Sequence, residues 1–311
     1  MLQAMRSSAR ALAAAAIVAL AIAAGAAPAR AGNGVALLRY VPDDAQVVSG
    51  LDVASARDSA LFRTWVDKFL TSAGSGEYLR AIGIDPLADI DTILVARHGF
   101  GDSDGEDGAP DVAIFEGRVG KAALDKMGGT VEVKRRGKLT YWVNDKGVVV
   151  RVGKRLFVAP IARVDQLLDL VAGKGPSAAR SPKAAPLRAA IAATDTRHDG
   201  WLALVLPADA KAKAAAAGVD ADAVAVCATV GRSLTLEIRG LMASEKAAAD
   251  ALALANSHLQ EAVEGLGHLG LKDAARSISI SADGSIVEAT VTVTEAELGT
   301  LGGLAGGLGS P

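Results

Sequence analysis

The chain has 311 residues, half of them hydrophobic and only 4% aromatic, with 33 Lys and Arg set against 35 Asp and Glu. That near-balance lacks the cationic excess phosphate neutralisation needs, which argues against nucleic acid as the main partner. A single cysteine, Cys227, excludes an internal disulfide, and four scattered histidines, none at i, i+4 or in an H-x-H pair, offer no zinc-ligand spacing.

The first 31 residues read as a targeting segment. "MLQAMRSSAR" carries Arg6 and Arg10 and no acid, an apolar run follows, Pro28 breaks it, and "ARA" ends at Ala31 with the small residues that signal peptidase reads. The run from Ala11 to Ala27 is 17 residues and mostly alanine, short for a hydrocarbon layer of about 30 Å. There is no twin-arginine pair and no cysteine near the cut for lipid attachment. The expectation is a cleaved Sec-type signal peptide over 1–31 and a mature chain from about Gly32, periplasmic or extracellular and not membrane-anchored. Without Arg6, Arg10 and Arg30 the remaining 280 residues hold 30 basic and 35 acidic side chains, a net charge of −5.

A first α+β domain is expected over 40–173. "QVVSGLDV" reads as a strand, and Leu61, Trp65, Phe69 and Leu70 recur at helical spacing. "GIDPLADIDTILVARHG" runs through a Pro-containing turn into a second strand, "DVAIFEGRV" is a third, and "GKAALDKM" a short helix. A meander follows, with turns at Gly137, Gly147 and Gly153, and "IARVDQLLDLVAG" closes this half as a helix ending at Gly173.

Lys174 to Pro186, "KGPSAARSPKAAP", has no apolar period and three prolines, and reads as a linker. A second domain over 187–300 repeats the order. "GWLALVLP" is a strand, "ADAKAKAAAAG" a helix, "VDADAVAVCATVG" a strand, "SLTLEIRGLM" a strand and "ASEKAAADALALANSHLQEAV" a long helix. "RSISISADGSIVEATVTV" is a hairpin signalled by Asp283-Gly284. Thr294 is placed to cap a helix, and 301–311 is a glycine-rich tail. Both halves spell β-α-β-β-α-β plus a hairpin or meander. The fold expected is therefore α+β, two ferredoxin-like repeats with antiparallel sheets and helices on one face.

The loudest chemical signal is the loop "GFGDSDGEDGAP" between the second and third strands, where the second half has only Gly231-Arg232. It reads as an insertion at a hairpin tip. Gly101-Asp102-Ser103 resembles the start of the SGNH hydrolase family. That resemblance implies a serine esterase in which His198 takes the proton from Ser103, Asp195 of "DTRH" orients the imidazole, and Asn144 donates to the oxyanion. The sequence departs from the family where it matters. "DGEDGAPDV" after the serine cannot make the first turn of a helix. Trp142 stands where the family has glycine before its asparagine, and Asp102, Asp104, Glu106 and Asp107 oppose an oxyanion. Asp102, Asp104 and Glu106 are also spaced like calcium ligands, but Asp107 and Ala113 replace the glycine and glutamate of an EF-hand.

Lys134 to Lys138, "KRRGK", reads as a charged turn that discourages edge pairing. Trp65, Trp142 and Trp201 read as core, and Cys227 as a small apolar side chain. Finally, "YVPDDAQVVSGLDV", "YLRAIGIDPLADIDTILVA" and "VAIFEGRV", over Tyr40 to Gly173, resemble a loose group of exported bacterial proteins filed as uncharacterised. The resemblance implies export and an α+β fold and brings no catalytic residues. The functional expectation is a non-catalytic exported protein that binds or scaffolds an envelope protein, with no cofactor. The alternatives are the serine esterase above and a carrier of a small apolar ligand.

Overall fold

Strands buried on both faces read as near-continuous apolar runs, and "VVSGL", "WLALV" and "AVAVCATV" are such runs. A computed structural model describes residues 33–64, 84–99, 111–120, 131–144 and 147–300. These runs lie at the middle of one antiparallel sheet. In chain order the strands are β1 (Val47–Asp52), β2 (Ile90–Arg97), β3 (Val112–Gly117), β4 (Glu132–Arg136), β5 (Leu139–Val143), β6 (Gly147–Val152) and β7 (Arg155–Pro160). The second half adds β8 (Gly200–Val205), β9 (Ala221–Val230), β10 (Ser233–Met242), β11 (Ser279–Asp283) and β12 (Ile286–Thr294). Across the sheet their order is β11-β12-β10-β9-β8-β1-β2-β3-β7-β6-β5-β4. The helices are α1 (Asn33–Leu37), α2 (Val53–Ala56), α3 (Pro86–Asp89), α4 (Val164–Val171), α5 (Ala185–Ala192), α6 (Ala208–Ala216), α7 (Glu245–His268) and α8 (Lys272–Ser277).

The expected hairpins are present. Thr92 to Val95 pair antiparallel with Glu116 to Ala113, and Val226 to Val230 with Ile238 to Leu234. Reading outward from the centre, β1-β2-β3 on one side mirrors β8-β9-β10 on the other. The ferredoxin-like arrangement is not what these strands make. That arrangement would separate β1 from β2 by an intervening strand, whereas the two are adjacent and antiparallel, from Val47↔Arg97 to Asp52↔Thr92. Nor, among the described residues, are there two sheets with helices on one face. β1 pairs with β8 (Val47↔Leu204, Leu51↔Gly200), which fuses the halves into one sheet.

Helices cover both faces because both faces are apolar. On one, Leu37 and Leu38, Leu167 and Leu168 of α4, and Leu187, Ala190 and Ile191 of α5 bury Val48, Leu94, Ile114, Phe157, Trp201 and Ala203. On the other, Val53 and Ala56 of α2 and the nearby Phe62 pack with Ile90, Trp142 and Leu156. Leu266 of α7, Leu271 and Ala274 close over Val291 and Val293 farther along. Among the described residues no helix is long and apolar enough to cross a membrane.

The segment expected as a free linker is tied down. Ser177 bridges to Pro42, the Ala178 N–H donates to the Val41 carbonyl at 2.9 Å, and Ser181 Oγ donates to Asp43 at 2.7 Å. Its backbone polar groups find partners just before β1, and Ala178 is fully buried. The expected helix over "GKAALDKM", Trp65, and the 301–311 tail lie outside the described residues.

The junction has a steric condition. Gly50 stands opposite Trp201 in the β1–β8 register. A Cβ on Gly50 would lie 2.3 Å from Trp201 Nε1, so the indole lies across a position that only glycine leaves open. Gly50→Ala is expected to lower the unfolding free energy by about 1–3 kcal/mol, the usual cost of overpacking. Combining it with Trp201→Leu should recover part of that loss. Urea unfolding of the single and double variants checks this; simple additivity would show that the two sites are not coupled.

Candidate functional site

The turn between α5 and β8 gathers the chemically active side chains. Asp195 organises it. Its Oδ1 accepts the Arg197 N–H at 3.0 Å, and both its oxygens accept the Arg197 guanidinium at 2.8 Å. That guanidinium, against a smaller opposing effect of burial, holds the Asp195 carboxyl down at about 2. The His198 N–H closes the turn on the Asp195 carbonyl at 3.2 Å. The imidazole then lies over β9 and β10. Nδ1 is 2.6 Å from Thr229 Oγ1, while Nε2 is 3.6 Å from Asp195 Oδ2 and 3.7 Å from Glu237 Oε1.

Under the imidazole the sheet turns polar. Cys227 of β9 stands directly opposite Glu237 of β10. Arg239 donates to Glu237 Oε2 at 3.2 Å, to Glu288 Oε2 at 2.7 Å and to the Ala193 carbonyl at 2.9 Å, binding β10 to β12 and to the end of α5. The Cys227 thiol is fully buried, and burial pushes it up to about 11. The side-chain ligand atoms of His198, Cys227 and Glu237 all lie within 4.8 Å of one another.

One residue farther on, Asp199 is 1% exposed. Its Oδ1 is 2.9 Å from Ser55 Oγ, its Oδ2 accepts the Val230 N–H at 3.3 Å, and its carbonyl accepts the Asp52 N–H at 2.7 Å. Burial, reinforced by the nearby Asp52 charge, raises its carboxyl from 3.8 to about 7. The neutral form suits the hydrogen bonds. Ser55 Oγ is also 3.0 Å from the Asp52 carbonyl. Its one proton can go there while a protonated Asp199 donates to Ser55.

Of the residues singled out in the sequence, those described are brought together only in part. Asp195 and His198 do share a turn. Asn144 sits in the β5–β6 turn, where its Oδ1 accepts the Gly147 N–H at 2.9 Å. Strand β5 is six strands from β8, roughly 29 Å at about 4.8 Å per strand. Ser103, with Asp102, Asp104 and Glu106, lies outside the described residues. The strands that flank its loop meet at the Arg97–Val47–Leu204 end of the register, whereas His198 enters at the Gly200–Leu51 end. Those ends are roughly 14 Å apart at about 3.4 Å per residue. Of the "KRRGK" charges, Lys134 pairs with Glu132 at 2.7 Å, and Arg136 with Asp165 and Asp169 at 3.0 and 2.8 Å. Trp142 and Trp201 are in the core, as expected.

Cys227, Thr229 and Glu237 carried no motif. The tight β9–β10 connection at Gly231-Arg232 was the available signal, because it sets Cys227 opposite Glu237. Their approach to His198 depends on how α5 leads into β8.

No protein-family model matches the chain, and no curated protein matches it. Among solved structures it is similar to crystal form I of TP0453, with 10% identity and a TM-score of 0.47 over 86% of this chain and 96% of that one. Crystal form IV of TP0453 gives 10% identity and a TM-score of 0.48 over 89% and 97%.

Asp199 generates a pH prediction. Between about 3.8 and about 7 the folded chain holds a proton that the unfolded chain has released. Stability should therefore fall as pH rises through that window and level off above it. An asparagine can donate Nδ2–H to Ser55 and accept from Val230, so Asp199→Asn should flatten the decline and exceed the parent in stability at mildly alkaline pH. Chemical denaturation across the window checks this; an unchanged slope would remove Asp199 as its source.

Proposed function

We propose that this is an exported, non-catalytic protein that binds or scaffolds a partner in the cell envelope. The observation that carries the non-catalytic reading is the distance of Asn144 from the turn that holds Asp195 and His198. General-base catalysis needs the serine within roughly 3 Å of an imidazole nitrogen, or one water away. The oxyanion donor must reach the same reacting carbonyl. With Asn144 six strands from β8, and the Ser103 loop rooted at the opposite strand ends from His198, the geometry favours no such convergence.

A scaffold role is supported by the breadth and tying of the sheet. Both its faces carry helices, and the 174–186 connection bonds back to the residues before β1. The matching places of β2-β3 and β9-β10 support reading the halves as one duplicated plan. An apolar-ligand carrier would need space between α5 and the sheet, where Leu187, Ala190 and Ile191 meet Trp201 and Ala203 instead. Export rests on the sequence from Met1 to Ala31.

The catalytic question is tested with a fluorophosphonate probe on purified protein. No labelling above that of Ser103→Ala is expected; labelling that Ser103→Ala abolishes would make this an esterase. Export is tested by the intact mass of the secreted form, expected to begin at or near Gly32. A mass that retains Met1 to Ala31 would overturn the cleavage assignment.

A further inference from the structure

We propose that His198, Cys227 and Glu237 form a binding site for one zinc ion. Their ligand atoms lie within 4.8 Å of one another, and His198 Nε2 is 3.7 Å from Glu237 Oε1. That separation is too long for a hydrogen bond, which needs about 2.7–3.2 Å. It suits two ligands of one ion, since tetrahedral bonds of about 2.0–2.3 Å set ligand–ligand edges of roughly 3.3–3.8 Å.

The surrounding bonds aim these atoms at a cation. With Nδ1–H given to Thr229 Oγ1 at 2.6 Å, Nε2 keeps its lone pair toward Glu237 Oε1 and Asp195 Oδ2. A hydrogen bond on the far ring nitrogen is the usual way a ligating histidine is oriented. Arg239 occupies Glu237 Oε2 at 3.2 Å, which turns Oε1 to the imidazole. Asp195 has both oxygens on Arg197 and acts as an outer partner. The facing atoms, Nε2, Oε1 and Oδ2, are all acceptors, and a cation among them removes their mutual repulsion.

Two ligands are cross-strand neighbours in the sheet, Cys227↔Glu237, and the third sits on a turn held by Asp195, so the backbone frame is fixed and the side chains alone close the spread onto an ion. A thiolate, imidazole and carboxylate set selects zinc over calcium or magnesium. On binding, the Cys227 S–H proton leaves to solvent and the sulfur lone pair forms the metal bond, with no change of oxidation state. Water takes the fourth position. The ion would anchor the turn that carries Asp199 into the β1–β8 junction.

The test uses purified, untagged, metal-stripped protein titrated with cobalt(II) and then zinc. One cobalt per chain is expected, with intense tetrahedral d–d bands and a thiolate charge-transfer band, both bleached by zinc. Cys227→Ser should lose the charge-transfer band, and His198→Ala should weaken binding by more than about 100-fold. Thr229→Val, which touches no ion, should weaken it about 10-fold or more with circular dichroism unchanged. Should Cys227→Ser fail to fold, His198→Ala and Glu237→Gln decide, because both side chains reach solvent. Weak octahedral bands without charge transfer in folded protein, or equal affinity in His198→Ala and Glu237→Gln, would overturn the proposal.

Discussion

The antiparallel contact between β1 and β8 is the constraint on which the rest of the molecule depends. Without it the chain would make two smaller sheets, each exposing a long apolar edge to pairing with other chains. With it, both edges are satisfied within one chain, and Val48 and Ala203 become neighbours in a core that also holds Leu94, Phe157 and Ile191. Gly50 makes the contact close enough for Trp201 to lie flat across the junction. A large aromatic opposite a glycine is an efficient seal, since the ring buries its area against backbone and leaves no gap.

The same junction explains why the active side chains gather where they do. The chain must turn from α5 into β8 at the strand end where α2 begins, and that turn is only a few residues long. Asp195 sets its shape through Arg197, His198 is thrown over β9 and β10, and Asp199 is driven into the seam beside Ser55. Burial there favours an uncharged carboxyl, because an ion with two hydrogen-bond partners does not regain the solvation it loses. A structural joint and a cluster of metal-ligand types thus share one turn.

Motif and geometry part company in this chain. "DTRH" does make a compact acid–imidazole pair, and "GDS" does follow a strand, yet resemblance in each piece says nothing of their separation. Strand count separates Asn144 from the turn, and antiparallel register puts the strand ends that flank the Ser103 loop at the other end from His198.

Several features were legible because they depend on neighbours in sequence. Alternation in "DIDTILVA" marked β2, Asp283 and Gly284 marked the β11–β12 hairpin, and the short Gly231-Arg232 connection set β9 against β10. These follow from local sterics and a two-residue side-chain period. The partner of β1 was not legible in that way. "VVSGL" and "WLALV" are apolar runs, but β1 and β8 are separated by almost half the chain, and no local rule says which apolar run meets which or that both faces are covered. The same holds for His198, Cys227 and Glu237. Spacing rules find ligands along one helix or one turn; here a turn, two strands and a helix exit must be assembled before the three side chains meet. Sequence determined the strands and the near hairpins. The tertiary structure alone decided the union of the halves and the site beside it, because both rest on contacts between segments that only packing brings together.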